Sequence, residues 1–206
     1  MISHPSTVTI RTREAYCSGV LVDVSLRPRL NHRTRLVLTC AHFFRPGLVP
    51  GDSYKVRGGF NRRIQAVRTI DGTDMAICVL DSPAPPRDLP GLAESLPHFR
   101  QPVTTWGFGG KAARAQRRRG HFLAPLWRTW SADLRTTVSP AGFLFNSEPA
   151  LKGDSGGPAF VGEEVVGTQS LILDPFGVNL HVATISLAAP HRAAIAAAAR
   201  ALLKSA

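Results

Sequence analysis

The segment Leu151–Pro158 reads Leu-Lys-Gly-Asp-Ser-Gly-Gly-Pro and is the most informative stretch of this 206-residue chain. Its glycines allow the backbone to turn tightly around Ser155, which leaves the serine hydroxyl exposed. A bend of this kind also directs successive backbone N–H groups toward one point, where they can stabilise a developing negative charge. The segment therefore indicates a nucleophilic serine with an oxyanion hole, whose donors are the N–H groups of Gly153 and Ser155.

Two other segments supply side chains that can activate a serine. Leu38–His42 and Thr73–Ile77 each carry a polar residue at the end of an apolar run that predicts a β-strand. His42 is the candidate general base, and Asp74 is the candidate for orienting its imidazole. A histidine or an aspartate at such a position is more often structural, but the joint spacing and order favour catalysis.

Six segments follow one another in a fixed order: Cys17–Val22, Leu36–His42, Asp74–Leu80, Trp106–Gly107, Gly153–Pro158 and Gly167–Ser170. Together they resemble the trypsin/chymotrypsin-like serine protease family, in particular its compact bacterial members, over nearly the whole chain. The order histidine, aspartate, serine is that of chymotrypsin. The resemblance implies a serine endopeptidase that cleaves proteins through an acyl-enzyme, with His42, Asp74 and Ser155 as the catalytic residues.

The resemblance also implies an all-β, chymotrypsin-like fold: two six-stranded antiparallel β-barrels with a C-terminal α-helix. Short apolar runs between turn residues independently favour an all-β barrel or sandwich. We expect residues 1–100 to form the barrel that carries His42 and Asp74. Residues 101–206 are expected to form the barrel that carries Ser155, together with the helix.

Twelve strands are predicted. Those of the first half are Val8–Arg11, Ser18–Val24, Arg35–Thr39, Tyr54–Arg57, Ile64–Ile70 and Met75–Leu80. Those of the second half are Pro102–Gly107, Ser131–Thr137, Gly142–Phe145, Pro158–Val161, Glu164–Leu173 and Val178–Ser186.

Proline and alanine mark the remaining parts of the fold. Five prolines between Asp81 and Pro97 predict an extended connection between the barrels, because proline is excluded from central strands and helix interiors. The alanine-rich stretch Pro190–Lys204 predicts the helix. Its apolar core of about ten residues is too short to cross a bilayer.

By resemblance, the substrate pocket is formed by Pro149, Ser170, Ile172 and Gly177. Pro149 stands six residues before the serine, where family members that cut after lysine or arginine carry an acid. Ser170 belongs to the strand that pairs with substrate. Ile172 stands where the family has a glycine and would narrow the pocket, whereas Gly177 retains the glycine of the opposite wall. The resemblance thus implies a preference for a small or medium uncharged residue.

Three acidic residues qualify these expectations. Glu148 or Asp174 would restore a basic preference if either reached into the pocket. Asp154 is the position that in the family often pairs with a new N-terminus after zymogen cleavage. No segment upstream of Cys17 resembles an activation site, so we expect an enzyme that folds active or is switched in another way. Asp154 would then need a different partner, an arginine or a backbone donor.

The cysteines bear on the compartment. Three cysteines leave at least one thiol unpaired within the chain. A Cys17–Cys40 bridge and free thiols are both open, and Cys78 is expected to be a small buried residue. No spacing indicates a metal site or a cofactor. The start of the sequence shows no secretory signal, which predicts a cytoplasmic protein if the chain is full-length and a secreted one if it is a mature or excised domain.

A formal net charge of +11 predicts attraction to acidic partners. The strongest cluster runs from Lys111 to His121 after a glycine-rich lead-in, and it predicts a solvated surface loop or, as a second interpretation, a docking site for an acidic substrate segment or regulator. Nucleic-acid binding is disfavoured, because no binding motif is present and aromatic content is only 7%.

The expected partners are therefore a protein or peptide substrate and an activating or regulatory protein, without a membrane. An intracellular protease needs restraint, which suggests a bacterial signalling or defence role with a dedicated substrate. Two alternatives stay open: a pseudoprotease acting as a binding module, and a basic binding protein on a protease fold. Retention of all three candidate catalytic residue types argues against the first.

Overall fold

Nine strands form the first half of the molecule in the computed structural model, which describes residues 6–44, 54–173 and 178–206. They are β1 (Thr7–Arg11), β2 (Tyr16–Val22), β3 (Arg29–His32), β4 (Leu36–Cys40), β5 (Lys55–Arg57), β6 (Asn61–Ile70), β7 (Met75–Leu80), β8 (Arg87–Leu89) and β9 (Gly91–Leu92). Six of these close into an antiparallel barrel in the order β1-β2-β4-β7-β6-β5. All six barrel strands match predicted ones.

The central strands of this barrel, β4 and β7, are buried on both faces. On β7, Met75, Ile77 and Val79 pack outward against the second half and the helix, whereas Ala76 and Cys78 fill the barrel interior. Burial on both faces explains why these segments are continuous apolar runs rather than alternating ones. The polar residues that flank the two strands are consequently held on a rigid support.

The described residues of the second half form eight strands. They are β10 (Pro102–Gly107), β11 (Gln116–Leu126), β12 (Thr129–Trp130), β13 (Thr137–Val138), β14 (Ala141–Asn146), β15 (Pro158–Val161), β16 (Glu164–Ile172) and β17 (Val182–Leu187). Six run in the order β15-β10-β11-β14-β17-β16, and pairing of β15 with β16 closes them into a barrel. The two six-stranded antiparallel barrels confirm the predicted fold class.

The predicted loop from Lys111 to His121 is wrong over most of its length, because β11 begins at Gln116. Its side chains alternate between exposed and buried, but two of the buried positions are Arg118 and Gly120 rather than apolar residues. The period-two pattern is therefore present without its usual hydrophobic signature. A strand with a buried arginine cannot be predicted from the alternation of apolar and polar residues.

The predicted strand Ser131–Thr137 is also wrong. This segment is the turn of a short hairpin between β12 and β13, where the Ser131 hydroxyl accepts the N–H of Thr136 and donates to Asp133. Side-chain-to-backbone bonds of this kind compete with strand pairing. In addition, β17 begins at Val182, four residues later than the predicted Val178.

The proline-rich connection contributes only short edge strands, as its prolines require. β8 pairs with β3, and β9 adds in parallel to the outside of β16. The C-terminal helix α1 (Arg192–Ser205) follows a 3-10 turn at Ala189–His191 and buries Ile195 and Ala199 in the core cluster between the barrels. In the part of the chain that the structure describes, no helix is long and apolar enough to cross a membrane.

Candidate active site

Pairing of β4 with β7 brings His42 and Asp74 together. Cys40 lies opposite Met75 in the register, so His42 just after β4 meets Asp74 just before β7. The Ala41 N–H donates to the Asp74 carbonyl at 3.0 Å, and the His42 N–H donates to Asp74 Oδ1 at 2.9 Å. Asp74 Oδ2 lies 2.7 Å from His42 Nδ1. The two backbone hydrogen bonds hold Asp74 in place, and its carboxylate orients the imidazole ring of His42.

Two serines complete the environment of Asp74. The Ser170 hydroxyl donates to Asp74 Oδ2, and the Asp74 N–H donates to Ser186 Oγ at 3.2 Å. The Asp74 side chain is fully buried, whereas a quarter of the His42 side chain is exposed. Because an ionised carboxylate only accepts, the proton of neutral His42 belongs on Nδ1. Nε2 is then left with the lone pair that a general base uses.

The pKa of His42 lies above its ordinary value. Burial lowers this pKa, whereas the hydrogen bond to the Asp74 carboxylate and the charge of that carboxylate raise it. Burial also raises the pKa of the Cys40 thiol well above its usual range, so this thiol is uncharged at neutral pH. The carboxylate is consequently the charge that stabilises an imidazolium at His42.

Ser155 lies in the loop that leads into β15. The Ser18 N–H on β2 donates to the Ser155 carbonyl at 2.8 Å, which ties the loop to the first barrel. The Ser155 hydroxyl donates to the Ser170 carbonyl at 3.3 Å, and no hydrogen bond links it to His42 within the described residues. Ser170 thus contacts Asp74 through its side chain and Ser155 through its backbone. A hydrogen bond between a serine nucleophile and its histidine base, such as one between Ser155 and His42, often forms or tightens only when substrate binds.

The peptide group between Lys152 and Gly153 is locked in one orientation. The Lys152 carbonyl accepts hydrogen bonds from the Tyr16 hydroxyl and the Gly110 N–H, both at 3.1 Å. In a trans peptide the N–H points away from the carbonyl, so the Gly153 N–H faces the opposite side. Neither this N–H nor that of Ser155 has a protein acceptor in the described part of the chain. Both donors are thereby available to an oxyanion.

The glycines of the motif have geometric causes. Gly153 has φ +101° and packs against the ring of Tyr16, which a side chain at this position would overlap. Gly156 has φ +78° and approaches the Ser18 carbonyl and the Thr39 hydroxyl equally closely. Both conformations favour glycine. The glycines of the motif therefore allow the serine loop to pack closely against β2 and β4.

Asp154 is buried and held by an arginine and by backbone donors. Its Oδ2 lies 2.8 Å from Arg118 Nε and accepts the Leu151 N–H at 2.9 Å, while Oδ1 accepts the Gly109 N–H at 2.7 Å. The expectation that Asp154 needs an arginine or a backbone donor matches these contacts. Sequence reasoning missed Arg118 itself as the partner, because it assigned this residue to a solvated loop.

Of the four expected pocket residues, the structure describes Pro149, Ser170 and Ile172. Pro149 is half-buried in the loop after β14, and Ile172 is the half-buried last residue of β16. The Asn179 side chain donates to the Ala150 carbonyl at 2.7 Å, which holds residues 178–181 against this loop. Gly177 and Asp174 lie outside the described residues.

Glu148 contacts β11. Its side chain is exposed, and its carboxylate accepts the N–H of Arg119 on β11 at 3.0 Å. The three cysteines are free and buried, so the Cys17–Cys40 bridge that the sequence left open is not formed.

The fold has many solved counterparts. Kallikrein-related peptidase 10 superposes with a TM-score of 0.71 at 20% identity, covering 97% of each chain. The active form of the Rv3671c protease from M. tuberculosis gives 0.70 at 18% identity, covering 93% of this chain and 79% of that one. The MamO protease domain from Magnetospirillum magneticum gives 0.68 at 17% identity, covering 92% and 95%. The chain has the fold of the trypsin-like serine proteases.

This likeness is structural. No protein-family model matches the sequence, and no curated protein matches it. The trypsin-like fold nonetheless explains the arrangement of the site, because His42 and Asp74 come from one barrel and Ser155 from the other.

Proposed function

We propose that this protein is a serine endopeptidase in which Ser155, His42 and Asp74 act together. The observation that carries the proposal is the combination of an oriented His42–Asp74 pair with two unpartnered N–H groups beside Ser155. Ser170 contacts both halves of this arrangement. A structural histidine would need neither a fully buried carboxylate partner nor adjacent donors held free.

In the proposed reaction, His42 Nε2 takes the proton of the Ser155 hydroxyl as its oxygen attacks the scissile carbonyl carbon. The resulting tetrahedral oxyanion accepts hydrogen bonds from the N–H groups of Gly153 and Ser155. In comparable sites each such donor stabilises the transition state by roughly 3–4 kcal/mol. His42 then protonates the leaving amine, and water hydrolyses the acyl-enzyme by the reverse sequence. Asp74 stabilises the imidazolium that forms twice in this cycle.

The Arg118–Asp154 pair supports an enzyme that is competent as folded. The carboxylate that shapes the loop before Ser155 is neutralised by a side chain of the same barrel. No new charged group is needed to satisfy it. We therefore propose that activity does not require cleavage of the chain, although a partner protein remains a means of regulation.

The proposed substrate is a protein cut after a small or medium uncharged residue. Pro149 provides no acid for a basic side chain, and the exposed Glu148 carboxylate is bound by the Arg119 N–H. The free thiols of Cys17, Cys40 and Cys78 support a reducing compartment such as the cytosol. A role in bacterial signalling or defence, with a dedicated substrate, fits an intracellular protease.

Hydrolysis of a peptide library tests the proposal. Wild-type protein should cleave peptides with alanine, valine or a similar residue before the scissile bond, and both Ser155→Ala and His42→Ala should abolish cleavage while circular dichroism and thermal unfolding stay unchanged. Equal hydrolysis by wild type and Ser155→Ala would refute the mechanism. A well-folded wild-type protein that cleaves nothing but binds peptides would instead support a pseudoprotease.

A further inference from the structure

A basic groove lies beside the loop that holds the candidate oxyanion donors. It consists of two adjoining cavities of about 520 and 720 Å³, which share Arg11 and Arg57 in their linings. Its walls come from β1 and the turn that follows it, from β5 and the residues after it, from β8, and from the segment between β10 and β11. The smaller cavity is lined by Arg13 and Lys55 as well as by Glu14, the one acidic residue among the described residues of the groove. Among the described residues, the larger cavity is lined by five cationic side chains and no acidic one: Arg11, Arg57, Arg87, Lys111 and Arg114.

These charges are largely uncompensated. In the described ranges, the side chains of Arg57, Lys111 and Arg114 are exposed and form no ion pair, and Arg11 forms none either. The Arg11 guanidinium instead lies 5.4 Å from the centre of the Tyr16 ring. Like charges gathered around one cavity repel one another, and an anion bound among them relieves that repulsion.

Arg87 forms a fixed wall of the groove. Its guanidinium donates to the Gly58 carbonyl at 3.0 Å and lies 4.8 Å from the centre of the Phe60 ring. The remaining cations extend from this wall toward solvent. The groove therefore combines one preorganised guanidinium with several adaptable ones.

Tyr16 joins the groove to the candidate active site. Its hydroxyl accepts the Lys111 N–H at 2.8 Å and donates to the Lys152 carbonyl at 3.1 Å, and its ring packs against Gly153. The same tyrosine lines the smaller cavity. A polypeptide that runs from Ser155 past Tyr16 thus enters the basic groove.

We propose that the basic groove binds an acidic segment of the protein substrate that flanks the scissile bond. This assignment rests on the proposed endopeptidase function and names its substrate class: proteins with several aspartates or glutamates close to the cleavage site. Guanidinium groups match carboxylates in bidentate geometry, and clustered cations also accelerate association with an acidic chain. The groove would select substrates by the sequence around the cleaved residue as well as by that residue.

The lining of the groove favours a peptide over a nucleic acid. Single-stranded nucleic acids bind through exposed aromatic faces on which their bases stack. Phe108 is buried, and Arg11 lies over the ring of Tyr16. Among the described lining residues, charged side chains therefore outnumber the two aromatic rings, which suits carboxylate side chains.

Binding to the Ser155→Ala protein tests the groove without relying on catalysis. Fluorescein-labelled peptides with a shared neutral core and an added Glu/Asp, Ser/Gly or Lys block would be compared by anisotropy at about 50 mM and about 300 mM salt. The acidic peptide should bind at least about tenfold more tightly than the neutral one at low salt and lose that advantage at high salt. Equal binding of acidic and neutral peptides would overturn the proposal.

Charge reversal in matched pairs locates the effect. Arg57→Glu with Arg114→Glu should remove the acidic preference, whereas Arg68→Glu with Arg200→Glu changes the net charge equally and should preserve it. Arg68 lines a separate cavity against α1, and Arg200 is exposed on that helix. Equal losses in both double variants would overturn the proposal, because net charge alone would then explain binding. Tighter binding of a single-stranded oligonucleotide of equal charge, lost in the groove variant, would assign the site to nucleic acid.

Cleavage by the wild-type protein separates this inference from the proposed function. Placing the acidic block before or after the scissile bond should raise kcat/KM by about tenfold in at least one position. The increase should come from a lower KM. Hydrolysis without any effect of the block would overturn the groove assignment and leave the endopeptidase intact. Charge-dependent binding without any hydrolysis would support the groove as an acidic-peptide site and refute the endopeptidase.

Discussion

Two buried carboxylates serve the candidate site: Asp74 lies just before β7 of the first barrel, Asp154 belongs to the Ser155 loop itself, and the two are neutralised in different ways. Asp74 is surrounded by hydroxyl and N–H donors and by an imidazole that can gain or lose a proton. Asp154 contacts a guanidinium and two N–H groups, none of which changes charge near neutral pH. The difference indicates that Asp74 belongs to a reaction cycle, whereas Asp154 holds the shape of the loop.

Of the changes to the two carboxylates and their partners, removing the charge of Asp74 should have the largest effect on activity. Asp74→Asn keeps the size of the side chain but favours the wrong tautomer of His42, so kcat/KM at neutral pH should fall on the order of 10⁴-fold with little loss of stability. Steady-state peptide hydrolysis and urea unfolding, measured on the same preparation, check both halves of this statement. An activity loss of less than about tenfold would remove Asp74 from the mechanism.

Removing the partner of Asp154 should act on stability first. Arg118→Met leaves a buried carboxylate without its cation, which should lower the free energy of unfolding by about 3–5 kcal/mol and also slow catalysis. Arg117→Met, on the exposed neighbour in β11, is the matched control and should change the free energy of unfolding by less than about 0.5 kcal/mol. Adding Asp154→Asn to Arg118→Met should recover part of the stability.

An unaltered free energy of unfolding in Arg118→Met would contradict the structural role of the pair. Unfolding in urea followed by tryptophan fluorescence provides the measurement, since the chain has three tryptophans.

The link between Tyr16 and the Lys152 carbonyl should have a smaller effect. Tyr16→Phe removes both hydrogen bonds of the hydroxyl but leaves the ring against Gly153, so the Lys152–Gly153 peptide loses one restraint. We expect kcat to fall by about five- to tenfold while KM changes little. A change in KM with constant kcat would mean that Tyr16 contacts substrate without orienting the Gly153 N–H.

The pH dependence should show the smallest but most specific difference. Only neutral His42 can accept the serine proton, and its pKa is raised, so kcat/KM should increase with pH around a midpoint above 6.5. Asp74→Asn should shift that midpoint to lower pH, because the charge that stabilises the imidazolium is gone. Arg118→Met should leave the midpoint in place. A shift in both variants would erase the distinction between the two carboxylates.

The same comparison shows what the sequence could predict. Asp74 and His42 flank uninterrupted apolar runs, so both strands and their junction follow from hydrophobic patterning. Arg118 occupies a core-facing position on β11, where its charge removes the alternation that would reveal the strand. The Asp154 pair therefore depends on tertiary packing that no local pattern encodes.

Similar reasons limited the prediction of other features. Tyr16 and the basic groove depend on contacts between residues far apart in the chain, such as the hydrogen bond from Tyr16 to Lys152. The sequence located much of the positive charge between Lys111 and His121, yet the groove also draws Arg11, Arg57 and Arg87 from the first barrel. Composition predicts that charge attracts an acidic partner, and only the fold determines which cations converge.

Reaction with a fluorophosphonate, followed by intact mass and peptide mapping, tests the central claim most directly. The account predicts a single adduct on Ser155 of the wild-type protein, formed without prior cleavage of the chain, much more slowly in Asp74→Asn, and absent from Ser155→Ala. No adduct on folded wild-type protein, or an adduct that persists in Ser155→Ala, would contradict it.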